Sequence, residues 1–281
     1  MTPEVIEING WRDLVERQRP YRIFRGQSDA EWPLRTSLER ACLANDGSLK
    51  DAGERERRLL LQFKRRYHEF SDNSPADDDD LRWFALMQHH GTPTRLIDWT
   101  YSLLVAIYFA VENAETESAV WEINTDLLSK ASREYLESRD VPSREEHDLS
   151  LAVHLGNVSP EDGRNRFRDW MLTNKFRFAK LAVPYIKDRR LTAQQGVFMA
   201  PGDVTASFMG NLGDLPDAPR MVVKYVIRPR FRDEFLYQLY AANVGRFSLF
   251  PDLDGFAASL RVFDPAVWPL RASDGPVYNE R

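Results

Sequence analysis

The stretch Ser102 to Asn113, S-L-L-V-A-I-Y-F-A-V-E-N, constrains this chain more than any other segment. Its run from Leu103 to Val111 is apolar on every side of a helix, so no face of it suits water. The run is also far shorter than the roughly 20 residues that span a bilayer. Other elements must therefore wrap it, and the chain is expected to build its layers around a central, buried helix. Residues 118–124, S-A-V-W-E-I-N, alternate as a strand. So do 221–228, with Val222, Lys224, Val226 and Arg228 on alternate positions.

Further strands are predicted at 21–25, stopping at Gly26, and at 197–199. Helices are predicted at 54–70, where Leu59, Leu60, Phe63, Tyr67 and Phe70 share one face, and at 81–89, 125–138, 165–175, 233–242 and 255–262. Strands and helices do not alternate strictly, so the expected class is α+β rather than a doubly wound sheet. No repeat or long linker divides the 281 residues, and a single domain over 1–281 is expected. The candidate breaks are 72–80 and 139–148; the aspartate run 77–80 within the first reads as a solvated loop before a helix.

Composition narrows the classes further. Aromatics at 12 %, with 7 tryptophans, exclude a disordered chain. The lone Cys42 forms no internal disulfide and no cysteine zinc site; with a polar, acidic N-terminus it suggests a reducing cytoplasm. A net charge of −5 gives no global basic field for nucleic acid, although the basic runs at 55–58 and 64–66 are candidates for a local patch. No H-x-x-x-H or H-E-x-x-H spacing exists, so no metal is expected. P-loop, nucleophile-elbow and dinucleotide fingerprints are absent too.

Two segments are more polar than a core requires. In Phe24-Arg25-Gly26-Gln27-Ser28, an arginine at a strand end beside a turn-permitting glycine either clamps a phosphate or carboxylate or is a surface arginine next to the turn. In Q-H-H-G-T-P-T-R-L-I-D-W-T, residues 88–100, polar groups lie between two apolar helices and need partners. Arg95 and Asp98 either brace each other or face a ligand. Arg25, His89, Arg95 and Asp98 are expected to converge on one cleft, and Trp99 and Phe109 to be core. Gln194 and Gln195 before Gly196 read as a strand start or as ligand amides. Asp252 and Asp254 read as helix caps or as site carboxylates.

Together these segments resemble the FRG domain family. The motif residues are Phe24-Arg25-Gly26, Trp32 with Leu34-Arg35-Thr36-Ser37, the block from Gln88 to Thr100, Tyr108-Phe109-Ala110, Gln194-x-Gly196-x-Phe198, and Phe250 to Gly255, a span of about 11–260. Leu103 stands where relatives often carry proline.

The resemblance implies accessory genes of bacterial defence or toxin systems, and a distant similarity to ADP-ribosyltransferases. In one class of those enzymes an aromatic-arginine-glycine strand grips NAD. The similarity would make Arg25, His89 and Asp98 catalytic, with Gly26, Gln27, Arg95, Gln195 and Asp252 binding the nucleotide and a nucleic acid or protein as target. Glutamines at 194 and 195 replace the glutamate that such a site needs, so Asp98 or Asp252 would have to substitute for it. Two alternatives stand beside this reading: a nucleotide or phosphate sensor without chemistry, and a nuclease using His89 with Asp98 or Asp252.

Overall fold

A computed structural model describes residues 1–139, 176–184 and 188–260. The chain order is β1 (Glu4–Ile8), α1 (Trp11–Val15), β2 (Arg22–Gln27), α2 (Ser37–Asp46), α3 (Ala52–Tyr67), α4 (Asp80–His89), β3 (Ile97–Thr100), α5 (Leu103–Val111), β4 (Ser118–Asn124) and α6 (Thr125–Glu137). It continues with β5 (Ala179–Ala182), α7 (Arg189–Ala193), β6 (Gly196–Pro201), α8 (Phe208–Gly213), α9 (Ala218–Met221), β7 (Val222–Ile227), a 3-10 turn (Pro229–Phe231), α10 (Arg232–Ala241), α11 (Arg246–Leu249) and α12 (Leu253–Ser259). The class is α+β, as the irregular order of elements implies. The seven strands form one mixed sheet, β1-β7-β4-β2-β3-β6-β5, in which only the β1–β7 pair is parallel.

Side-chain alternation divides the core between the two faces of the sheet. Phe24, Val120 and Tyr225 point to one face, where α5 lies under α1 and α10, represented by Leu14, Phe235 and Leu239. Ile23, Trp121, Ile123 and Trp99 point to the other, against α3, α4, α6 and α8. The all-apolar helix is thus covered on both sides, and Ala106, Ile107, Ala110 and Val111 are fully buried. Ser102 caps α5 by accepting from the Val105 amide at 3.3 Å, which makes proline at Leu103 dispensable.

Gly26 has a different task from the one expected. It does not end the strand but lies within β2, opposite Val120 of β4. A Cβ there would sit 2.0 Å from the Ala106 carbonyl oxygen and 2.5 Å from the Ala110 nitrogen. The glycine and the small 106/110 face of α5 let helix backbone touch strand backbone. The aspartate run does precede a helix, but Asp79 caps α4 and Asp80 is buried against Lys64 at 3.0 Å. Most cations of the two basic runs have a carboxylate partner: Arg55 pairs with Asp46, Arg57 and Arg58 with Glu54, Lys64 with Asp80 and Arg66 with Glu69. The expected helix at 165–175 and nearly all of the break at 139–148 fall outside the described residues. No helix among the described residues is long and apolar enough to cross a membrane.

Candidate functional site

The central strands β2 and β3 meet at one residue pair, Phe24–Thr100, whereas β2 pairs with β4 along its whole length. Beyond that pair the ladder stops, and Arg25 Nη1 donates to the Asp98 carbonyl at 2.6 Å. A cavity of about 600 Å³ occupies this opening, a size suited to a small-molecule ligand. It is lined by Phe24 to Gln27 of β2 with the following Ser28, and by Asp98, Trp99 and Thr100 of β3. Helices from opposite faces of the sheet also reach it, α4 through Gln88 and His89, and α5 through Val105 and Phe109.

Charge is unevenly distributed in the lining. Arg25, Arg35, Arg40 and Arg190 face two carboxylates, Asp98 and Asp188. The Arg25 side chain is only 20 % exposed, and its nearest carboxylate, Asp98, lies at 3.8 Å and is 63 % exposed. Burial lowers the Arg25 pKa from its usual value; Asp98 opposes that shift and the positive charge of Arg40 adds to it. Arg25 Nε and Trp99 Nε1 are both buried without a hydrogen-bond partner. Both donors therefore sit unsatisfied behind the cavity surface, in residues that form its wall.

His89 Nδ1 lies 3.6 Å from Asp188 Oδ2, linking the end of α4 to the start of α7. The other Asp188 oxygen accepts from the Leu191 amide at 2.6 Å. Arg190 of α7 lies over the Phe250 ring at 4.5 Å, with Arg246 against the same ring at 4.8 Å.

Arg25, His89 and Asp98 therefore come together as expected, with Gly26 and Gln27. Gln27 is nonetheless occupied: its Oε1 accepts from Trp121 Nε1 at 2.6 Å. Three expected ligand residues are placed elsewhere. Arg95 is not in the lining and does not pair with Asp98. It is buried against Glu56, its Nε donating to both carboxylate oxygens at 3.0 and 2.9 Å, with a further bond from Nη2. Gln195 is held at φ 48°, and its carbonyl accepts from the Tyr101 amide, while Gln194 reaches the cavity instead. Asp252 caps α12, accepting from the Gly255 amide at 2.7 Å. Phe109 is half-buried in the cavity wall rather than part of the core, whereas Trp99 is buried.

Several motif residues prove to be bracing. Thr94 exchanges hydrogen bonds with Ser37, giving its amide to Ser37 Oγ at 2.9 Å and accepting at its carbonyl at 3.2 Å. Its hydroxyl donates to Gln88 Oε1. Gln194 Nε2 donates to the Leu249 carbonyl at 3.1 Å, fastening the segment before Gly196 to the one that carries Phe250. Gly255 is required because Phe250 fills the space of a side chain, its oxygen 2.1 Å from where a Cβ would stand.

The sequence reading did not single out Glu56, Arg40, Asp188 or Arg190. Glu56 carried a readable signal, since it lies on the buried stripe of α3 with Leu60. The other three are surface-type residues that only the fold brings to the cavity. Among the described residues no group of three or more His, Cys, Asp or Glu could hold a metal ion.

Comparison with known proteins agrees with the motifs. The model of the FRG domain matches residues 21–119, a narrower span than the motifs at 194–198 and 250–255 suggest. No curated protein and no solved structure matches significantly. The matched segment carries β2, β3, α4, α5 and the Arg25–Asp98 contact, so residues 21–119 form an FRG domain, and that domain contributes most of the cavity wall.

Proposed function

We propose that the cavity binds a nucleotide through its phosphates, with Arg25 as the principal phosphate ligand and NAD as the leading candidate. The observation that carries this reading is the Arg25 guanidinium, largely withdrawn from water, with no carboxylate nearer than a mostly exposed one at 3.8 Å. A buried cation without close compensation is costly, and a bound anion removes the cost. Arginine matches phosphate because its planar fork offers paired donors. Arg40 adds a second positive charge close to the first. The pyrophosphate of NAD suits these two arginines, both of which line the cavity.

A catalytic form of this reading rests on Asp98. NAD supplies an ADP-ribosyl group that can be transferred to a nucleic acid or protein. Asp98 presents a carboxylate to the cavity, which is suited to stabilising positive charge developing on a ribosyl carbon. Gln194 does not take the place of the missing glutamate, because its amide is engaged with Leu249.

The test is thermal stabilisation by ADP and by NAD, on wild type and on Arg25→Met. A ligand at 100 times its Kd should stabilise the wild type by about 2.7 kcal/mol, and Arg25→Met should abolish the effect. Equal stabilisation of both proteins, or of neither, overturns the proposal. Release of nicotinamide in cell extract by wild type but not by Asp98→Asn supports the catalytic form, and its absence in every extract removes that form.

A further inference from the structure

Trp32 is 53 % exposed, which is unusual for the largest aromatic side chain, and it stands in the cavity lining. Its exposure does not come from a loose loop. The neighbouring Ala30 and Leu34 are buried at 2 % and 1 %. The Ala30 amide donates to the Glu117 carbonyl at 2.7 Å, and Lys224 Nζ donates to the Ala30 carbonyl. The Trp32 amide closes a turn onto Asp29, and Gln27 Nε2 donates to the Pro33 carbonyl at 3.4 Å. A rigid segment thus presents an indole to solvent beside a cationic cavity. Among the described residues no ring or cation stacks on it.

We infer that Trp32 is the base platform of this site: the ligand is a nucleotide whose aromatic base stacks on the indole while its phosphates enter towards Arg25 and Arg40. The inference rests on the reading of the cavity as a phosphate site. The exposures order the two ends, with Arg25 at 20 % inside and Trp32 at 53 % on the rim. Every base has a π-face, so a single indole adds affinity for nucleotides without selecting strongly among them. Inorganic anions have no group to place there. Arg35, three residues after Trp32, also lines the cavity, so the segment that carries the platform also supplies positive charge.

The experiment is calorimetric titration of the full chain with ADP and with inorganic pyrophosphate, two probes with the same diphosphate chemistry. Wild type should bind ADP about tenfold or more tightly than pyrophosphate. Trp32→Ala should lose that surplus and keep its pyrophosphate affinity, and Trp32→Phe should recover most of it. The side chain is exposed, so these variants should fold, and unchanged melting temperatures check that they do. Arg25→Met should lose both probes. If pyrophosphate binds through Arg25 while ADP gains nothing, or if Trp32→Ala weakens both probes alike, the platform is overturned and the phosphate site stands. If the wild type binds neither probe, both readings fall.

Discussion

Arg95→Met should cost the protein on the order of 3–5 kcal/mol, although the exchange nearly preserves side-chain length. The Arg95 and Glu56 side chains are only 5 % and 3 % exposed. Glu56 accepts from Arg95 Nε, Nη2 and the Arg95 amide, the last at 3.2 Å. With the guanidinium removed, the buried carboxylate keeps only the backbone amide among these bonds. Most of the cost is this stranded charge rather than the lost attraction. At about 2–4 °C of Tm per kcal/mol for large domains, the melting temperature should fall on the order of 10 °C. Removing both charges, as in Glu56→Leu with Arg95→Met, should recover much of the loss, because an apolar pair needs no compensation. Urea denaturation of wild type, the two single variants and the double variant gives the full cycle. If Arg95→Met unfolds within about 1 kcal/mol of wild type and loses ligand binding instead, the brace assignment is wrong and Arg95 belongs to the site.

Other substitutions separate scaffold from site in the same way. Gly26→Ala forces a Cβ into α5 backbone that has no rotamer to escape through, so it should cost about 3 kcal/mol or more; a melting temperature within a degree of wild type would refute the contact. Arg25→Met removes a poorly compensated cation, so its melting temperature without ligand should equal or exceed that of wild type; a collapse would make Arg25 a brace. Burial raises the Glu39 pKa above its ordinary 4.5, against the opposing hydrogen bond from the Phe208 amide. The native state therefore holds this proton more tightly than the unfolded chain. The stabilisation is full below about 4.5 and is lost as pH rises through the raised value. Wild type should thus lose Tm relative to Glu39→Gln over that window, and a parallel pair of curves would contradict the assignment.

What could be read in the sequence was whatever announces itself locally. The β4 strand at 118–124 alternates cleanly and is found with those bounds, and the all-apolar run at 103–111 is the buried helix it must be. Capping explains Asp252, one of the two readings its position allowed. β3 was missed because four residues, Ile97–Thr100, are too few to establish a period, and the polar motif before them suggests a turn. β1 was missed because its pairing with β7 joins residues more than two hundred positions apart. The site was half legible for the same reason. Arg25, His89 and Asp98 stand in compact motifs, whereas Arg40 and Arg190 meet them only once the sheet has formed. Arg95 was misassigned because its partner, Glu56, lies thirty-nine positions earlier on α3. A carboxylate on an apolar stripe was the sign that this helix held a buried counter-ion.

The most direct test of the central claim is a crystal structure of the full chain with ADP. The account predicts phosphate oxygens within hydrogen-bond distance of the Arg25 guanidinium, in the opening between β2 and β3, with Arg40 turned towards the same group. ADP lying outside that opening, or density there with Arg25 bonded only to the Asp98 carbonyl, would contradict it.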